Sequence, residues 1–143
     1  MLSHERLVAW QKCHRFAIAA YQCSRSWPKE ERYGLTSQFR RAALSAPANL
    51  AEGSARAGTR SMAYHTSIAL GSLAETAYYL RFVRDLDLIS EADWRRLDAL
   101  RREAGGLTWR LYRALRARAE EGKTSGGKSS TSPTSPGPPL PPP

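Results

Sequence analysis

From Ser90 onward, apolar side chains return every three or four positions: Trp94, Leu97, Leu100, Ala104, Leu107, Leu111 and Leu115. That period lines one face of an α-helix, whereas one face of a strand would take every second residue. The preceding S-E-A-D, Ser90–Asp93, has the form of a capping box, so the helix has a defined start as well as a face. A long helix with one apolar stripe is stable only when other elements cover that stripe. The rest of the chain must therefore supply partners for it.

What it supplies is more helix. Up to Glu121 there is no strand alternation, and the only prolines are Pro28 and Pro47. Periodicity and stop signals predict helices over Ser3–Ser26, over Thr36–Ala55, and from Thr59 or Ser61 to Asp87. In the first, Ser3 is the expected N-cap, and Leu7, Trp10, His14, Ala17, Ile18 and Tyr21 form the expected stripe before WPKEERYG ends it. Short connections favour antiparallel neighbours. The expected fold is all-α, an antiparallel up-down four-helix bundle over residues 1–121. Beyond Glu121 the composition changes, and GKTSGGKSSTSPTSPGPPLPPP holds seven of the nine prolines with almost nothing to bury. Residues 122–143 are expected to be a disordered, solubilising tail, although PPLPPP has the form of a polyproline II ligand.

The second helix contains a contradiction. LTSQFRRAALSAPANLAEGSAR, Leu35–Arg56, places Pro47 where a helix should continue. Proline removes a backbone donor and clashes with the preceding turn, at about 3 kcal/mol in a regular helix. Asn49 and Glu52 follow in the spacing of a new helix start. The expectation is a second helix kinked or reset at Pro47.

The third helix has two apolar stripes. Met62, Ala69, Leu73, Ala77, Leu80 and Val83 mark one, and Tyr64, Ile68, Gly71, Tyr78, Tyr79 and Phe82 mark the other. One stripe suffices for a monomer's core. The second predicts another buried contact, most simply another subunit. Gly71 supports this, since a helical glycine costs about 1 kcal/mol against alanine unless a close neighbour offsets it.

The charge is +9, with arginine supplying 18 of the 22 basic residues; over 1–121, 20 basic and 13 acidic residues leave +7. Arginine's planar fork suits phosphate, so a polyanion is the expected partner. Arg40, Arg41, Arg56 and Arg60 group around the second helix and its exit AEGSARAGTRS. There Gly53 and Gly58 would let backbone N–H groups approach a phosphate near Thr59. Arg95, Arg96, Arg101, Arg102, Arg110, Arg113, Arg116 and Arg118 form a second basic set, on the fourth helix.

Chemistry beyond binding finds no frame. A di-iron bundle site needs Glu-x-x-His pairs, and none occurs. There is no nucleophile elbow and no phosphate-cradling Gly-rich loop. Cys13 and Cys23 lie too far apart along one helix for a disulfide, which fits free thiols in a reducing cytoplasm. His14 is expected at the core's edge and His65 in packing or at an interface. No uncharged run reaches the roughly 20 residues of a membrane span. The chain is thus expected to be a soluble cytoplasmic protein with no enzymatic activity, metal or cofactor.

LTSQFRRAALSAPANLAEGSAR and SIALGSLAE (Ser67–Glu75) are not generic. With VAWQKCHRFAIAAY, WPKEERYGLTSQ and LISEADW, they make the chain resemble, from about Leu7 to Leu115, the bacterial four-helix-bundle family named for the 23S rRNA intervening-sequence protein. Ala46 and Ala48 flank Pro47 where that family usually carries Ile and Ser. The resemblance implies a left-handed bundle assembled as a homopentamer, with no catalytic residue. It extends to the accessory variability-determinant proteins of diversity-generating retroelements, basic pentamers that bind a reverse transcriptase and nucleic acid. Within it, Asn49 and Glu52 would cap the restarted helix. Arg41 would make a structural pair with Glu52 or Glu75, leaving Arg40 to solvent or polyanion. The expected function is a nucleic-acid-binding scaffold, binding RNA or DNA through Arg40, Arg41, Arg56 and Arg60. The alternative is a protein-interaction scaffold such as a reverse-transcriptase accessory factor.

Overall fold

The computed structural model describes residues 1–126. Among them are four α-helices, two short 3-10 turns and no strand: α1 (Val8–Ser24), α2 (Leu35–Ala55), α3 (Thr59–Asp85) and α4 (Glu91–Gly126). Consecutive helices pack on one another and α4 returns against α1, while α1 and α3, and α2 and α4, make no close backbone approach. The core on which all four converge is built on Phe16, Phe39, Leu50, Leu80, Val83 and Leu97. Phe16 meets Phe39 edge-on at 6.5 Å, and Trp27 stacks on the same ring at 4.9 Å. Each such side chain withdrawn from water contributes about 1.5–3 kcal/mol.

The first helix presents a different face from the expected one. Ser3 begins a 3-10 turn, Ser3–Arg6, and Leu7 is the N-cap of α1. Ala9, Cys13, Phe16, Ala17 and Ala20 are buried, while Ile18 and Tyr21 remain 48% and 38% exposed. Small residues let α1 lie close to its neighbours, which displaces the bulky residues to the flanks. His14 is exposed and stacks on Trp10 at 4.9 Å. Cys13 is buried, with its Sγ 3.4 Å from Thr108 Oγ1 on α4. The two cysteines form no disulfide.

The second helix runs unbroken through Pro47, which is buried. The restart expected at Asn49 and Glu52 does not form. Asn49 turns back instead, its Nδ2 donating to the Ser45 carbonyl at 2.9 Å and to Ser45 Oγ at 3.1 Å. Its Oδ1 lies 3.2 Å from Nδ1 of buried His65 on α3, and Ser72 Oγ donates to Ser45 Oγ at 2.8 Å. Glu52 pairs with Arg56 at 2.7 Å. Asn49, read as a cap, therefore ties α2 to α3.

Two helix ends follow their sequence signals. Asp87 takes a left-handed conformation (φ 55°), the Leu88 N–H bonds to the Val83 carbonyl at 2.9 Å, and the Asp87 N–H bonds to Arg84 at 3.0 Å. This is a Schellman stop, and it closes α3 two residues before the expected end. Ser90 Oγ then accepts the Asp93 N–H at 3.1 Å and starts α4. That helix extends to Gly126, past the boundary expected at Glu121. The rest of the expected tail, with PPLPPP, lies outside the described residues.

Candidate nucleic-acid interface

The four arginines singled out above do not gather at one place. Arg40 and Arg41 sit in the first half of α2, while Arg56 follows its last residue. Fifteen residues of helix separate Arg41 from Arg56, about 22 Å. The roles within the first pair are also reversed. Arg40 is half-buried, its Nε donates to Ser24 Oγ at 2.7 Å and its Nη2 to the Tyr21 carbonyl at 3.3 Å, and its guanidinium lies 4.6 Å from the Tyr21 ring centroid. It fastens α2 to the end of α1. Arg41 is exposed, bonds among the described residues only to Gln38 at 2.9 Å, and pairs with neither Glu52 nor Glu75. The helical turn between positions 40 and 41 explains the split, since only one of them can point at α1.

The glycines also divide. Gly58 has φ 97° at the N-cap of α3, a conformation that L side chains rarely adopt. Gly53 is buried within α2, where an added Cβ would stand 2.8 Å from His65 Cβ and 2.9 Å from Met62 Sδ. Its role is close packing of α2 on α3. It is not available to a phosphate.

On α4, acidic neighbours neutralise part of the basic set. Asp98, nearly buried, holds Arg101 at 2.7 Å and Arg102 at 2.8 Å, and Glu91 holds Arg95 at 3.3 Å. Arg96, Arg110, Arg113 and Arg118 make no ion pair among the described residues.

What the fold assembles is a groove between the start of α3 and the far end of α4, about 270 Å³ in volume. Arg60, Tyr64 and Ser67 line it from α3, and Tyr112, Arg116 and Lys123 from α4. Positions 112, 116, 119 and 123 fall on one face of a helix by their spacing. The two helices run in opposite senses, so the start of one meets the end of the other. Tyr64 is 63% exposed. Arg116 is 3.6 Å from Glu120, which also lines the groove, whereas Arg60 and Lys123 have no carboxylate within 4.0 Å among the described residues. Cations interleaved with exposed Tyr64 and half-buried Tyr112 offer phosphate contacts and base-stacking platforms together. Of the six residues, only Arg60 was among the four arginines put forward from sequence, and Arg116 was in the second set. Lys123 looked like tail, and only a fold could bring Tyr64 beside Tyr112.

No helix among the described residues is long and apolar enough to cross a membrane. None of their His, Cys, Asp or Glu side chains form a group of three or more that could hold a metal ion.

A family profile described as 23S rRNA-intervening sequence protein matches residues 5–109. No curated protein matches the chain. Among solved structures, a protein of unknown function from the S23 ribosomal protein family of Bacteroides thetaiotaomicron superposes with a TM-score of 0.68. It is 20% identical, and the match covers 73% of this chain and 98% of that one, a likeness in fold. The α4 half of the groove lies beyond the residues the family profile matches.

Proposed function

We propose that this chain, which belongs to the 23S rRNA-intervening sequence protein family, is a non-enzymatic scaffold that binds single-stranded nucleic acid along the α3/α4 groove. The observation that carries this reading is the convergence of Arg60, Arg116 and Lys123 with Tyr64 and Tyr112 from opposite ends of the sequence. Tyrosine rings stack on bases only where those bases are unpaired, which favours single-stranded RNA or DNA over a duplex. The exposed Arg110 and Arg113 on α4 extend the positive field around it. The helices are arranged as an antiparallel up-down bundle, bent at Pro47.

A second reading, self-assembly, rests on a separate surface. The outward face of α3 leaves Tyr78 61% and Phe82 40% exposed, and at Gly71 an added Cβ would meet nothing within 4 Å. A homo-oligomer packing on this face, a pentamer by the family resemblance, would cover it. Repeating the groove around a ring would multiply its affinity for one long strand.

Fluorescence anisotropy with a labelled single-stranded RNA, titrated at several salt concentrations, tests the first reading. Each phosphate contact adds about 0.7 to the slope of log K against log salt. The combined variant Arg60→Ala/Arg116→Ala/Lys123→Ala is expected to lower that slope by about 2 per groove. Absence of binding at 50 mM salt, or an unchanged slope in the variant, refutes it.

A further inference from the structure

A second cationic hollow, of about 290 Å³, lies at the opposite corner, where α1 ends and α2 begins. Arg25, Lys29, Arg32 and Arg40 line it and no carboxylate does. None of the four makes an ion pair among the described residues. Four cations facing one small volume repel one another, an arrangement that a bound anion would relieve. Charge alone would mark only a basic surface.

Two further wall residues make the hollow specific. Trp27 and Thr36 are 5% and 6% exposed, and both stand in its wall. Trp27 Nε1 and Thr36 Oγ1 are the buried side-chain polar atoms that find no hydrogen-bond partner among the described residues. Indole N–H can only donate, and a buried donor without an acceptor is rare enough to need an explanation. Ser24 Oγ, also in the wall, is already engaged by Arg40 and Tyr21. Thr36 lies in the first turn of α2, whose N-cap Gly34 supplies no side-chain acceptor. That turn brings unsatisfied N–H groups and the positive end of the helix dipole.

We propose that this corner binds a phosphate group, with Lys29, Arg32 and Arg25 supplying charge and the partnerless Trp27 Nε1 and Thr36 Oγ1, shielded from solvent beneath the wall, turning to donate when the anion seats. A dianionic phosphomonoester fits better than a carboxylate, because it offers more acceptor oxygens in more directions to the donors gathered here. The group could arrive as free phosphate or a nucleotide, or as the terminal phosphate of a nucleic-acid strand.

Titration calorimetry of the full chain with inorganic phosphate, at ionic strength held constant with chloride, tests the site. Saturable binding is expected, with affinity at least tenfold weaker in Lys29→Ala/Arg32→Ala. Both residues are exposed, so the fold should survive. Thr36→Val removes the orphan hydroxyl at nearly constant volume. It is expected to weaken phosphate binding several-fold without lowering the melting temperature, a pairing that a merely structural role would not produce. Absence of saturable phosphate binding, or undiminished affinity in the double variant, overturns the proposal. Comparing 5′-phosphorylated and 5′-hydroxyl oligonucleotides of one sequence identifies the source. A preference for the phosphorylated strand that the double variant loses assigns the site to strand ends, and no preference alongside phosphate binding assigns it to the free anion. The groove variant Arg60→Ala/Arg116→Ala/Lys123→Ala should leave inorganic phosphate binding unchanged, so the two sites can fail separately.

Discussion

Gly53→Ala should destabilise the protein even though alanine is the better helix former. An added Cβ would lie 2.8 Å from His65 Cβ, 2.9 Å from Met62 Sδ and 3.4 Å from the Met62 Cα. Carbon atoms in favourable contact sit about 3.5–4.0 Å apart, so at His65 the gap must open by about 0.7 Å or more. Met62 can swing its thioether away. His65 Cβ cannot follow, because it is fixed to the backbone of α3, so the two helices must separate. Overpacking of this kind costs about 1–3 kcal/mol. Separation also stretches the His65–Asn49 contact of 3.2 Å, and a hydrogen bond of that type is worth about 1 kcal/mol. Against this stands a gain of about 1 kcal/mol in helix propensity. The net loss is about 1–3 kcal/mol, or about 4–11 °C in melting temperature for a domain of this size. Thermal unfolding followed by circular dichroism, at one fixed protein concentration so that assembly does not contribute, measures it. A variant as stable as the parent would show that α2 and α3 are not held this close, and the tie through Asn49 would fall with it.

Gly71→Ala should have the opposite sign within one chain, a gain of up to about 1 kcal/mol, because its Cβ meets nothing within 4 Å. If the outward face of α3 packs on another copy, light scattering should also show weakened assembly, and a chain that is monomeric at every concentration refutes the self-assembly reading. Arg40→Ala should cost about 1–2 kcal/mol through its lost bonds to Ser24 and Tyr21, while Arg41→Ala should stay within about 0.5 kcal/mol; equal urea midpoints for the two would refute the assignment. Burial first, and then Asp93, pushes the Cys23 thiol up to about 11. Since only the thiolate attacks, its alkylation by iodoacetamide should rise about tenfold per pH unit between pH 7 and 10, and a plateau below pH 9 would contradict that environment.

How far the sequence reached depended on whether a feature was local. The leucine stripe of α4, the Ser90 cap and the helix–helix junctions are written within a few consecutive residues, and the four helices follow from them. The buried face of α1 is rotated from the expected stripe: of that stripe Ala17 is inside, but Ala9, Cys13 and Ala20, whose small size gives little signal, and Phe16 complete the buried face. Three core threonines gave no apolar signal. Thr66, Thr76 and Thr108 are fully buried because each hydroxyl bonds to a carbonyl of its own helix, at 2.7, 2.6 and 2.7 Å, leaving the methyl for the core. The groove was out of reach for a different reason. Arg60 and Lys123 become neighbours only through the antiparallel course of α3 and α4, and GKTSG has weak helix propensity that hides Lys123 in an apparent tail. Extending an existing helix by a turn is far easier than starting one, so α4 carries those residues along.

Pro47 is the most conspicuous signal in the sequence, and the restart it suggests does not form. Its missing N–H leaves the Ala43 carbonyl without its usual partner, and in an isolated helix that loss favours a break. Here the break would also have to occur inside the core, because Ala46, Pro47 and Leu50 are all buried. Ending the helix there would strand up to four carbonyls and as many N–H groups away from water, each at about 1–3 kcal/mol, so four of them exceed the proline's own penalty of about 3 kcal/mol even at the low end. Continuing is therefore the lower-energy course. Asn49, which looked like the first residue of a new helix, is instead bound to the turn before it and to α3. A polar residue one turn past a buried proline serves continuity as readily as capping, and burial of the surrounding turn decides between them. Replacing Asn49 by Asp would keep a side-chain acceptor for a cap but remove the donor that Ser45 receives. If the helix is continuous, Asn49→Asp should lower stability by about 1–2 kcal/mol at neutral pH, and a neutral or stabilising effect in urea unfolding would mean that the residue caps a restart after all.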